Sequence, residues 1–129
     1  MESRRSWSAT FRNAWNGIWN SLKTERNMRI HVAAAIIVLL AAFFFGLPFR
    51  DIALLLLVIS LVITAELLNT AIEAAVDLVT PEWHRLAKVA KDAAAGAVLI
   101  AAAFAVLIGI LLFYGPVLSW LGWERFMKF

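Results

Sequence analysis

Four side chains able to do chemistry, Glu66, Asn69, Glu73 and Asp77, interrupt an apolar run at spacings of 3, 4 and 4. On one helix, at about 100° per residue, they share a sector of roughly 80°, while Leu67, Leu68, Ile72, Ala75 and Val76 mostly cover other directions. Carboxylates are expensive near hydrocarbon, so this stripe must face a bundle interior or a water-filled cleft where a cation or substrate offsets its charge. Further along, Lys91 and Asp92 stand side by side, and Glu25 is the one acidic residue between Glu2 and Asp51. Carboxylates to hold Mg²⁺, a lysine to meet phosphate oxygens and a carboxylate to take a hydroxyl proton are the parts a phosphoryl transfer needs. No Gly-rich phosphate loop of the P-loop or protein-kinase pattern accompanies them. The same stripe would serve as a proton or cation pathway along Glu66, Glu73 and Asp77. It would also fit a structural bundle in which Asp92 merely pairs with Lys88 at i−4. Spacing alone leaves all three open.

The elements that must position these residues are helical throughout. A surface helix over about residues 6–27 is read from Trp7, Phe11, Trp15, Ile18 and Leu22, which recur at spacings of 4, 4, 3 and 4 among basic flanks. Three spans follow, over about residues 30–49, 52–79 and 82–114. Gly46 and Pro48 end the first, and Asp51 is a plausible N-cap for the second. That second helix, at roughly 40 Å, exceeds a bilayer core of about 30 Å. Glu66 is therefore expected just inside the membrane, Glu73 at the interface and Asp77 beyond it. Thr80 and Pro81 read as the N-cap and first residue of the third span, which Pro116 ends. Along that span Ala93, Ala97 and Ala101 recur beside Gly96, a small-residue face suited to close packing within or between chains. Trp120 and Trp123 read as interfacial anchors, His31 as an interfacial residue rather than a metal ligand, and Arg29 as the i+4 partner of Glu25.

Composition agrees: 63% hydrophobic and 16% charged residues in 129 place a single all-α domain in lipid. The net charge of +3 sits beside the apolar spans, which favours anionic head groups and makes nucleic acid an unexpected partner. The absence of cysteine excludes disulfides, thiolate catalysis and cysteine metal sites. No cleavable leader is expected, because the first apolar run starts only near His31. Nine of the twelve Lys and Arg fall in the N-terminal segment and the 80–92 stretch, which predicts a cytoplasmic N-terminus and active site.

The run Glu66-Leu67-Leu68-Asn69-Thr70-Ala71-Ile72-Glu73, then Val76-Asp77, then Ala90-Lys91-Asp92 with Ala95-Gly96-Ala97-Val98-Leu99, resembles the prokaryotic diacylglycerol kinase family, which includes undecaprenol kinases. Gly17 and Glu25-Arg26-Asn27 with Arg29 and His31 extend the likeness over nearly the whole chain. The resemblance implies an integral inner-membrane lipid kinase with three spans and a surface helix. It further implies a homotrimer that phosphorylates a lipid hydroxyl with ATP and Mg²⁺. It makes Glu66 the base, with Asn69 beside it, and Glu66 and Arg29 contacts for the lipid. Glu25 and Glu73 become metal ligands, and Asn13, Glu25, Glu73, Asp77, Glu82, His84, Lys91 and Asp92 the nucleotide site. The chain departs from the diacylglycerol kinase branch at Ser6, where that branch is basic, and at Asn13, where it is aromatic; Arg4, Arg5 and Arg12 are the basic residues at hand. Asn69-Thr70, Ala94-Ala95-Gly96-Ala97 and Glu25-Arg26-Asn27 look more like the undecaprenol kinase branch.

Overall fold

The apolar runs fold as four α-helices in a computed structural model that describes residues 6–123: α1 (Trp7–Thr24), α2 (Arg26–Phe44), α3 (Phe49–Val79) and α4 (Arg85–Trp120). Arg4, Arg5 and the charges at 124, 125 and 128 lie outside the described residues. The all-α expectation holds. Helices α2, α3 and α4, of 19, 31 and 36 residues, are each long and apolar enough to cross a membrane.

Ser6 caps α1, its Oγ accepting from the Ala9 N–H at 3.3 Å. Residues 10–20 are all exposed, including the apolar stripe of Phe11, Trp15 and Ile18, and α1 is buried against the rest of the chain only at Ser21. The helix stops at Glu25, whose backbone turns extended (φ −96°, ψ 118°) while its N–H still donates to the Ser21 carbonyl at 2.8 Å. Helix α2 starts at the very next residue. The surface helix thus ends three residues before the expected 27, and the first span starts at 26 rather than 30. Arg29 explains the tight join: its Nη1 donates to the Lys23 carbonyl at 2.7 Å and reaches that of Leu22 at 3.5 Å. A guanidinium on the last free carbonyls of α1 satisfies them and complements the helix dipole. Those carbonyls, rather than the Glu25 carboxylate, hold the Arg29 side chain.

Helix α2 ends as its glycine requires. Gly46 takes φ +67°, its N–H donates to Phe43 at 3.2 Å, and the Leu47 N–H donates to Ala42 at 2.9 Å. This is the paired bonding of a Schellman motif, in which buried Leu47 also folds back on buried Ala42. The cap of α3 is Pro48, not Asp51; the Pro48 carbonyl accepts from Ile52 at 3.1 Å, and Asp51 sits in the first turn, where its charge suits the helix dipole.

At the other end of α3, Thr80 is the C-cap and α4 begins only at Arg85, so Thr80 and Pro81 do not start the helix. His84 caps it instead, its Nδ1 accepting from the Leu86 N–H at 3.1 Å. Pro116 lies inside α4, which continues to Trp120. A proline there removes one backbone bond, and edge-to-face contacts of Trp120 with Phe44 (6.2 Å) and Phe45 (6.0 Å) hold the last turn against α2. The expected anchor Trp120 is therefore also a packing residue.

Helix α3 is the centre, lying along α4 and against α2. Its buried face is Ile52, Leu55, Val58, Val62, Glu66 and Asn69, at helical spacings of 3 and 4. On α4 the buried residues are Ala94 and Val98. The Ala93–Ala97–Ala101 face is turned one residue away, with Ala93 and Ala97 exposed, so within the chain it is not the contact surface.

Candidate functional site

The buried face of α3 changes chemistry halfway along. Its first four members are apolar and anchor the bundle, with Ile52 and Leu55 packed on Ala42 and Leu47. The next two, on the same line, are Glu66 at 2% exposure and Asn69 at 9%. Glu66 Oε2 and Asn69 Oδ1 have no hydrogen-bond partner among the described residues, and neither has the Oγ of buried Ser21 on α1. Buried polar atoms left this way are costly unless a ligand, ion or water satisfies them. The Thr70 hydroxyl donates to the Glu66 carbonyl at 3.1 Å, which is internal to the helix.

Three ionisable side chains lie near Glu66. His31, on the first turns of α2, places Nε2 3.9 Å from Glu66 Oε2. Glu25 and Glu73 both lie close enough for their charges to act on it. The joint between α1 and α2 thus brings Glu25 near Glu66 from forty-odd residues away in sequence. The structure also makes His31 a neighbour of Glu66. Asn13 is exposed on the middle turns of α1, and Arg29 is held on the α1 carbonyls.

One turn beyond Glu73, the rest of the acidic stripe opens onto a polar cavity of about 350 Å³ between the α3 end, the 80–84 link and the first turns of α4. Asp77, Glu82, His84, Lys91 and Asp92 all line it, so five of the eight residues expected at the nucleotide share one wall system. One ion pair joins α4 to α3 here, Lys91 Nζ to Asp77 Oδ1, and a second, Lys88 Nζ to Asp92 Oδ2, runs along α4, each at 2.5 Å. Lys91 faces Asp77 rather than its sequence neighbour, because residues 91 and 92 point in different directions on a helix. The bland pairing of Asp92 with Lys88 is present as well. Starting α4 at Arg85 leaves Glu82 and His84 on the link, where they reach the cavity.

No group of three or more Asp, Glu or His is gathered as a metal cluster among the described residues. Two half-buried carboxylates, Glu25 and Glu73, still fit Mg²⁺, which takes hard oxygen donors and keeps several positions for water and phosphate.

A second, apolar cavity of about 510 Å³ runs between α2, α3 and α4, with Val62 and Val58 on one wall and Phe113 at its far end.

Comparison with known proteins places the chain beside a single family. The family model described as prokaryotic diacylglycerol kinase matches residues 12–113. The undecaprenol kinase of Bacillus subtilis (strain 168) is 47% identical over 104 residues, covering 81% of this chain and 85% of that protein. The diacylglycerol kinase of Synechocystis sp. is 48% identical over 111 residues, 85% of this chain and 63% of that protein. The diacylglycerol kinase of Escherichia coli (strain K12) is 33% identical over 101 residues, 78% of this chain and 83% of that protein.

Proposed function

The chain belongs to the prokaryotic diacylglycerol kinase family and is a membrane-embedded lipid kinase, and from that premise we propose that it moves the γ-phosphoryl group of ATP to the hydroxyl of a membrane lipid alcohol at the cytoplasmic face of the inner membrane. The observation that carries this reading is the position of Glu66: a buried carboxylate with an unpartnered oxygen, on the line where the apolar face of α3 meets the acidic one. A lipid hydroxyl arrives from the apolar side and ATP from the polar side.

In this reading Glu66 accepts the hydroxyl proton as the lipid oxygen bonds to the γ-phosphorus and the bond to the β–γ bridging oxygen breaks, releasing ADP. Asn69, one turn on, orients the hydroxyl by donating from its side-chain amide NH2 to the hydroxyl oxygen. Asp77, Glu82, His84, Lys91 and Asp92 hold the nucleotide in the polar cavity, Lys91 exchanging its carboxylate partner for phosphate oxygens. Glu25 and Glu73 would hold Mg²⁺, which when bound neutralises charge on the phosphate oxygens. Asn13 would reach the nucleotide from α1, and Arg29 would meet the lipid where it leaves the α1 carbonyls. The apolar stripe of α1 lies in the interface, and the exposed Ala93–Ala97 face of α4 is offered to a second copy in a homotrimer, which cross-linking of an active preparation tests.

Relatives carry both lipid names, and the undecaprenol-like segments of this chain favour the polyprenol. The test is purified protein with γ-labelled ATP, Mg²⁺ and vesicles containing either undecaprenol or diacylglycerol. Label in the polyprenol above that in diacylglycerol is expected; label in neither, with cations passing the vesicle wall, overturns the proposal.

A further inference from the structure

Glu66 Oε2 is buried without a donor, and packing alone gives a carboxylate little direction about its last torsion, whose well is broad. A base aimed at one hydroxyl needs a fixed direction. Three nearby cations are committed elsewhere: Lys91 to Asp77, Lys88 to Asp92, and Arg29 to the carbonyls ending α1. His31 is the one basic side chain at ion-pair distance among the described residues, with Nε2 3.9 Å from Oε2 and the two side chains 23% and 2% exposed. It is also the one polar residue lining the 510 Å³ apolar cavity, whose walls near it include Ala35 and Val62, the latter one turn from Glu66. The imidazole thus has the base on one side and the apolar cavity on the other. Glu25 and Glu73 complete the charged groups around this pair.

We propose that His31 is a positioning residue for the transfer: its Nε2 holds Glu66 Oε2 so that the other oxygen faces the lipid hydroxyl entering at the polar end of the apolar cavity. The proposal rests on Glu66 being the base. At 3.9 Å the pair stands beyond hydrogen-bond length, and catalytic contacts of this kind commonly tighten when substrate binds.

The test compares His31→Leu, His31→Gln, Glu66→Gln and the double variant Glu66→Gln/His31→Leu, each as full chain in vesicles with lipid alcohol and MgATP. His31→Leu is expected to lose about ten- to a hundredfold in kcat, the worth of one hydrogen bond to a charged group, with KM for ATP unchanged. His31→Gln, which keeps a donor at similar reach, recovers most of that rate. In the Glu66→Gln background His31→Leu adds no further loss, because the group it aims is gone. Wild-type kcat in His31→Leu, with Glu66→Gln inactive, overturns the role of His31 alone. So does an equal loss in both histidine variants with ATP affinity falling in step, which marks a packing role. Wild-type transfer by Glu66→Gln overturns the base reading and this one with it.

Discussion

Replacing Glu66 by glutamine separates chemistry from folding more cleanly than any other change in this chain. The amide keeps the shape of the side chain, so the 2%-exposed site loses no volume. Oε2 makes no hydrogen bond that the amide would forfeit, and the His31 contact, at 3.9 Å, is the one attraction removed. Against that loss stands the cost of keeping a carboxylate away from water, which the neutral amide reduces. The folded state should therefore melt at the wild-type temperature or above. Turnover should fall by about 10²- to 10⁴-fold, the usual share of a general base, equivalent to about 3–5.5 kcal/mol of barrier. Glu66 does not line the polar cavity, so MgATP titrated into the variant should bind as it does to wild type. The assay is transfer from γ-labelled ATP into lipid, beside a direct nucleotide titration and a melting curve in the same detergent. Wild-type transfer removes Glu66 from the role of base. Lost MgATP affinity with otherwise normal chemistry moves it to the metal site beside Glu73.

Three further outcomes follow from the geometry. Glu25→Gln and Glu73→Gln should each raise the Mg²⁺ concentration for half-maximal rate, Glu73→Gln at least severalfold; unchanged metal dependence in both discards the two-carboxylate site. Lys91→Met should raise KM for ATP tenfold or more, roughly 1.4 kcal/mol, with the lipid KM unchanged. Its effect on stability should stay below about 1 kcal/mol because the Asp77 pair is partly exposed, and a steady-state run over ATP concentration with a melting curve checks both. Gly46→Ala meets no neighbour, yet must hold φ +67°, so it should cost about 1 kcal/mol of stability with kcat unaltered, as unfolding in mild detergent would report.

The spans and the direction of the acidic stripe were legible because both depend on local pattern. Long apolar runs locate helices α2 to α4, and spacings of 3 and 4 put Glu66 and Asn69 on a single face, which is the face α3 buries. Helix ends were less legible. Asp51 and Thr80 have the chemistry of N-caps, but Pro48 and His84 take those places, since a cap is decided by which residue's backbone turns extended. Pro116 carries the ordinary signal of a helix end, and aromatic contacts with α2 override it. The face that α4 turns to α3, Ala94 and Val98, lies one residue from the Ala93–Ala97–Ala101 row, a distinction hard to read because an alanine-rich helix looks much the same from every side. His31 was beyond local reading altogether. It stands thirty-five positions from Glu66, and what pairs them is the packing of α2 on α3 about the 45–48 turn, which no periodicity encodes.

The continuous buried line on α3, from Ile52 through Val62 to Glu66 and Asn69, also settles what kinds of change the helix can absorb. Its outward positions, among them Leu56, Leu57 and Leu61, are exposed, and one apolar residue there can stand in for another. A single residue added between Leu55 and Glu66 is another matter. Everything beyond it turns by about 100° and moves by about 1.5 Å, swinging Glu66, Asn69, Glu73 and Asp77 away from His31, Glu25 and the α4 lysines together. Hydrophobicity, length and membrane insertion would hardly register the difference. The helix thus tolerates spelling errors and not miscounting, and sequences related to it should vary freely in letter along this stretch while insertions and deletions collect at its two ends, in the 45–48 turn and the 80–84 link.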